Sequence, residues 1–352
     1  MKDQEFINRK ADHIRYSLAK EAEAVESGTL HHWSLVHDSL PDLDLGEISL
    51  ESLWFGAPKP NPFFIAGMTA GHPDAKIINE RLARAASERG WAMGVGSQRR
   101  ELDSEFKDSA VQSLRKQNPD LFLISNLGIA QLIEIHERGS WNLLFDLLER
   151  SGSSALAIHL NPLQEAIQPE GTPRFKNGWI AIRELAHRLK IPLIVKETGS
   201  GMSRKFMDRI SQLPIAAVDV SGLGGTHWGR VEGLRAGEGT ISHELGATFA
   251  NWGVPVAESI LNAKGAFSKS QKTAILASGG IRTGLDAAKC LALGASAVGF
   301  AKPALEAALQ GDRPLQQWME KIESELRVAM FCTGAGSVPE LALDKIERRD
   351  HD

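Results

Sequence analysis

The stretch AILASGGIRTGLDAAKCLALGASAVGFAKP, residues 274–303, decides the fold. AILA (274–277) is apolar at every position, as in a strand of a parallel sheet covered on both faces, and it closes on a Ser-Gly-Gly turn. GLDAAKCLALGA (284–295) has helical period and a Gly-Ala stop. SAVGFAKP (296–303) is a second apolar run ending in a lysine. Strand, crossover helix and parallel strand are spelled out in one piece.

The same pattern recurs upstream. Apolar runs ending in polar residues or glycine appear as PFFIAGM (62–68), WAMGVGSQ (91–98), LFLISNLG (121–128), ALAIHLNP (155–162), PLIVKETG (192–199) and IAAVDVSGLGG (215–225), which with the two above makes eight. Amphipathic segments separate most of them; DAKIINERLARAASERG places Ile77, Ile78, Leu82 and Ala85 on one helix face. Eight such units predict a closed (β/α)8 TIM barrel. A doubly wound sheet is the lesser alternative, because no GxGxxG follows the first strand. Residues 1–60 read as an N-terminal helical extension, with a charged helix candidate over 9–27 and a Pro-rich connection from Ala57 to Pro62. Residues 61–352 read as the barrel, with a Gly-rich insertion at 226–273 between strands six and seven; insertions of this length commonly serve as lids or oligomer contacts.

At 352 residues, with 42% hydrophobic and 24% charged residues, the composition is that of a folded globular chain. Forty Lys and Arg against forty-four Asp and Glu leave a net charge of -4, so no global basic field exists for nucleic acid. Two cysteines, Cys290 and Cys332, form no zinc spacing and fit a reducing cytoplasm. MKDQEFINRK is too charged for a signal peptide, and no run reaches the length of a membrane span.

A barrel carries its chemistry at the C-terminal strand ends. The Gly279-Gly280-Ile281-Arg282 turn and the Ala301-Lys302-Pro303 helix start predict a phosphate site, since glycine lets backbone N–H groups approach an anion and the helix adds its dipole. Lys196, at the end of strand five, needs an anionic or electron-rich partner inside the barrel mouth. Glu197, a Schiff-base substrate or a flavin ring would serve. Asn126 and Ser97, which could bond a pyrimidine-like edge, favour the flavin. HLNPLQE (159–165) offers a proton donor, two amides and a carboxylate; His159 and Asn161 share a face, but a strand-end histidine is as often structural. Arg9, Lys10 and His13 read locally as a solvated basic face. His31, His32 and Cys290 read as structural.

Together RKADH (9–13), GMT (67–69), GSQR (96–99), SNLG (125–128), HLNPLQE (159–165), VKETG (195–199), GGT (224–226), SGGIR (278–282) and AKP (301–303) resemble the type 2 isopentenyl-diphosphate isomerase family, flavin-dependent isomerases of isoprenoid biosynthesis. The resemblance spans nearly the whole chain. Ala70 stands where that family often has a second glycine after Met-Thr, and Lys302 where arginine is common.

The resemblance implies interconversion of isopentenyl and dimethylallyl diphosphate, with reduced FMN as acid and base and NADPH or NADH keeping it reduced. It implies FMN contacts from Gly67, Met68, Thr69, Ser97, Asn126, Lys196, Ser221, Thr226, Gly279, Gly280, Ile281, Arg282, Ala301 and Lys302. Substrate contacts fall to Arg9, Lys10, His13, Ser97, Gln98, Arg99, His159, Asn161 and Gln164, with His159, Gln164 and Lys196 in catalytic positions. Glu165 would bind Mg2+. A cytoplasmic homo-oligomer, a tetramer or octamer, is also implied. The alternative is an FMN-dependent oxidoreductase of the hydroxy-acid oxidase type, which needs a His and Arg set near strand six or seven.

Overall fold

A computed structural model describes residues 12–24, 29–68, 75–102, 110–268 and 272–349. Arg9, Lys10 and Thr69 lie outside the described residues, as does Ala70. Eight strands, β1 (Phe63–Ile65), β2 (Ala92–Gly94), β3 (Leu123–Gly128), β4 (Ala155–His159), β5 (Leu193–Lys196), β6 (Ala217–Asp219), β7 (Ala274–Ala277) and β8 (Ala297–Phe300), close a barrel in sequence order. Every neighbouring pair is parallel, β8 with β1 included.

Strand alternation sorts the residues into two cores. Outward Phe63, Ile65, Leu123, Leu127, Leu156, Ile158, Val195, Val218 and Val298 pack against the helices. Inward positions are small: Ala66, Ala92, Ala155, Ala157, Ala217, Ala274 and Ala297 join Phe64, Ile124, Ile194 and Leu276. Ala92, Ala155, Ala217, Ala274 and Ala297 are the first residues of their strands, so their small side chains leave room at the N-terminal end. The N-terminal end is stoppered by Trp54, whose ring lies 5.8 Å from Phe122 and 6.4 Å from Phe64. Gly299 has no room for a side chain, because a Cβ there would meet the Phe64 ring at 2.3 Å.

The helix of the deciding stretch, Gly284–Leu293, starts with a capping box between Thr283 and Asp286 and stops at Gly294, whose φ of 115° suits only glycine. Three sequence expectations need correction. Ile77 of the helix Ala75–Arg89 is 53% exposed, while Ile78, Leu82 and Ala85 are buried; at 100° per residue Ile77 turns off the buried stripe. The charged segment helical over 12–18 tightens into a 3-10 turn at Lys20–Ala22 rather than continuing. Ala57–Lys59 pairs antiparallel with Ser52–Trp54, so the connection before β1 is the hairpin that holds the Trp54 stopper.

The 226–273 insertion is largely helical: α1 (Trp228–Ala236), α2 (Ile241–Thr248) and α3 (Val256–Phe267). A short antiparallel pair, Trp33–Leu35 with Ile346–Arg348, ties the N-terminal region to the C-terminal end of the chain.

Candidate active site

A cavity of about 690 Å³ opens at the C-terminal ends of the strands, within the usual range for a cofactor and a small substrate. Register explains its floor. His159 pairs with Lys196 and Lys196 with Asp219, so three ionisable residues from β4, β5 and β6 stand in one row.

Lys196 does not use the Glu197 carboxylate. Its Nζ donates to the Glu197 carbonyl at 2.8 Å and lies 3.5 Å from Asp219 Oδ2. Asp219 also accepts from Ser278 Oγ at 2.6 Å and from the Ser221 N–H at 3.3 Å. Ser221 holds φ at 35°, a conformation uncommon for a residue with a side chain and typical of functional sites. Glu197 turns away into a nest, accepting from the N–H groups of Thr198, Gly199 and Ser200 at 2.6, 2.7 and 2.5 Å. Burial pushes its carboxyl up to about 7, with those three donors and Lys196 opposing the rise. Glu197 shapes the loop after β5.

Asn126 donates to Val95 O at 3.1 Å and faces His159 Nδ1 at 2.9 Å through its carbonyl, so the two side chains fix each other. Ser97 and Arg99 line the cavity. Gln98 does not; 2% exposed, its carbonyl accepts from the Asn126 N–H at 3.2 Å and its own N–H donates to Asn126 O at 2.9 Å. The residue expected on the substrate clips β3 instead.

At the far side, Gly279 (φ 101°) and Gly280 (φ 74°) bring the turn after β7 against the loop after β6, where a Cβ at either would lie within 2.3 Å of a backbone oxygen. Gly67, Met68, Thr226, Ile281, Arg282 and Ala301 line the same cavity. The helix Lys302–Gln310 has Ala301 as its N-cap with no side-chain bond, leaving first-turn N–H groups for an anion beside Lys302 and Arg282. This turn fits a cofactor phosphate. Lys196 and Asn126 fit the polar edge of a ring between them.

The polar cluster after β4 is larger than the sequence suggested. Asn161 Nδ2 donates to Gln164 Oε1 at 3.2 Å and to Glu165 Oε1 at 3.0 Å, and Glu165 Oε2 accepts from the Thr172 N–H at 2.6 Å. Gln164 Nε2 donates to Glu232 Oε1 at 2.7 Å, and His13 Nε2 lies 3.0 Å from the same oxygen. Arg235 Nε reaches Glu232 Oε2 at 2.8 Å. Burial raises the Glu232 carboxyl, but His13, Gln164 and Arg235 outweigh it and hold the value at about 2. Glu232 sits on α1 of the insertion, away from any strand end, and its only sequence signal is an acid among apolar residues in VEGL. Among the described residues no group of three His, Cys, Asp or Glu could hold a metal. A magnesium site built on Glu165 therefore needs waters and substrate oxygens, as magnesium commonly accepts.

The model of the FMN-dependent dehydrogenase family matches residues 107–348. An isopentenyl-diphosphate delta-isomerase of Legionella pneumophila (strain Lens) is 47% identical over 345 residues, covering 98% of this chain and 97% of its own. One from Bdellovibrio bacteriovorus is 45% identical over 346 residues, covering 97% and 98%. The chain belongs to the type 2 isopentenyl-diphosphate delta-isomerase family.

Structural likeness reaches further. The flavin-binding domain of baker's yeast flavocytochrome b2 superposes with a TM-score of 0.68 at 17% identity, over 94% of this chain and 79% of that one. Mandelate oxidase with (S)-2-phenylpropionate gives 0.65 at 18%, over 97% and 96%. At that identity only the fold is shared. FMN, the cofactor of the matched family, thus accords with the donor set around Lys302, Lys196 and Asn126.

Proposed function

We propose that this isomerase-family barrel interconverts isopentenyl and dimethylallyl diphosphate, moving a double bond with no net redox change. One observation carries the reading: a single cavity holds two separate sets of cations, Arg99 and Arg100 after β2, and Arg282 with Lys302 after β7 and β8. One set suits the FMN phosphate and the other a diphosphate.

Reduced FMN, when bound, supplies the acid and base for the proton shift, and NADPH or NADH supplies its electrons. The chain's own residues hold and orient. Lys196, restrained by Asp219, would place positive charge beside a bound flavin ring and favour its anionic form. His159 and Gln164, each locked by a hydrogen bond, would face the substrate head with Asn161. Glu165 would share Mg2+ with the diphosphate, while His13, Ser97 and Arg99, with Arg9 and Lys10, fix its tail so that the alkene stays in register. Met68, Ser221, Thr226 and the 279–282 turn complete the cofactor bed.

The hydroxy-acid oxidase alternative has Arg282 after β7 but, among the described residues, lacks a cavity-facing histidine after β6. His227, the histidine after β6, is 1% exposed and caps α1 by accepting from the Arg230 N–H, so it does not face substrate. Among the described residues no helix is long and apolar enough to cross a membrane. We place the enzyme in the cytoplasm as a homo-oligomer, tetramer or octamer, on family resemblance. The decisive experiment is anaerobic: protein reduced with dithionite, then given isopentenyl diphosphate with and without Mg2+. Dimethylallyl diphosphate should appear without net flavin oxidation and depend on the metal. Failure to isomerise, or flavin reduction by a 2-hydroxy acid, would sink the reading.

A further inference from the structure

The segment 12–24 crosses the mouth of the cavity and is pinned at both ends. His13 engages Glu232 at one end. At the other, Glu23 Oε1 accepts from Lys302 Nζ at 2.8 Å and Glu23 Oε2 from Arg282 Nη2 at 2.7 Å. Main-chain bonds flank this contact, His227 N–H to Ala22 O at 2.8 Å and Ala24 N–H to Gly225 O at 2.9 Å, with Glu23 bridged to Thr226.

We propose that Glu23 is a positioning residue that clasps this N-terminal strap to the cations of the cofactor-phosphate turn, so that seating of the cofactor and assembly of the substrate site are coupled. The inference rests on the reading of that turn as the FMN phosphate site. A carboxylate between two cations is a strong charge-assisted contact, and both cations keep donors for a second anion, since ammonium has three N–H groups and guanidinium five. Arg282 already divides itself, its Nη1 donating to Gly280 O at 2.9 Å while Nη2 serves Glu23. Glu23 therefore competes with the phosphate for positive charge while holding the strap that carries His13. Its removal should act in opposite directions on the two ligands. The cofactor gains cations, and the substrate loses a wall of its site.

Glu23→Gln, Glu23→Asp and Lys302→Ala decide this. Apoprotein titrated with FMN by fluorescence quenching should show Glu23→Gln binding about threefold tighter at low salt, the gain fading at high salt. In the holoenzyme the amides of residues 12–24 should exchange faster, and the KM for isopentenyl diphosphate should rise about fivefold with a smaller change in kcat. Glu23→Asp should restore part of both. If Lys302→Ala weakens FMN while Glu23→Gln matches the parent in FMN affinity, exchange and KM, the clasp is wrong and the phosphate site stands. If Lys302→Ala leaves FMN affinity unchanged, both readings fall.

Discussion

The two ends of the barrel are made by the same inward alternation and finish oppositely. At the N-terminal end the inward residues meet Trp54, tilted against Phe55, Phe64 and Phe122, with Lys59 over the Phe122 ring at 4.2 Å. At the C-terminal end the last inward residues are Asn126, His159, Lys196, Asp219 and Ser278, each held by a named partner. Sealing is a packing problem, solved by aromatic area. The mouth instead collects helix N-termini and strand-end side chains, and there polar groups find partners that make their burial tolerable. Stability should accordingly concentrate at one end and chemistry at the other.

The sharpest test of that division removes the stopper. Trp54→Ala should cost about 3–5 kcal/mol in denaturant unfolding, the usual loss for a buried aromatic, while the FMN content and KM of the folded fraction stay near those of the parent. Loss of flavin without loss of stability would erase the contrast. Lys196→Gln strikes the other end: it keeps a donor and removes the charge, so kcat should fall about 10²–10³-fold, with a smaller stability change than Trp54→Ala. Steady-state kinetics beside unfolding curves read both quantities.

A smaller effect concerns pH. The Glu232 carboxyl is held at about 2 against a usual 4.5, so the folded state favours its ionised form. That contribution is fully present above the usual carboxyl value and is lost as pH falls toward about 2. Measured from its own neutral-pH value, Glu232→Gln should lose about 1–3 kcal/mol less unfolding free energy than the parent between about pH 5 and pH 2. Parallel curves would mean that the His13, Gln164 and Arg235 bonds do not hold the charge as the distances indicate.

Much of the mouth was legible because strand ends are marked in sequence by a change from apolar to polar. Asn126, His159, Lys196 and the 279–282 turn could all be located that way. Gln98 could not be judged: residues 97–99 follow β2 together, yet Ser97 and Arg99 line the cavity while Gln98 turns to the β3 backbone. Asp219, the carboxylate nearest Lys196, lay unmarked within IAAVDVSGLGG, whereas the adjacent Glu197 was the one carboxylate the sequence offered beside the favoured flavin ring. Cross-strand register, not chain adjacency, made that choice.

The sequence by itself determined the eight strand and helix units, and therefore a barrel with a polar C-terminal mouth, because parallel strands covered by helices must be apolar on both faces until they end. Local turn chemistry likewise marked the 279–282 turn as a candidate phosphate site, and the helix start at Lys302. Tertiary structure alone decided that Trp54 seals the far end, that Glu232 of the insertion joins His13 and Gln164, and that Glu23 reaches Arg282 and Lys302 across more than two hundred and fifty residues of chain. Those contacts join residues with no periodic relation to one another, so only closure of the barrel brings the groups within bonding distance.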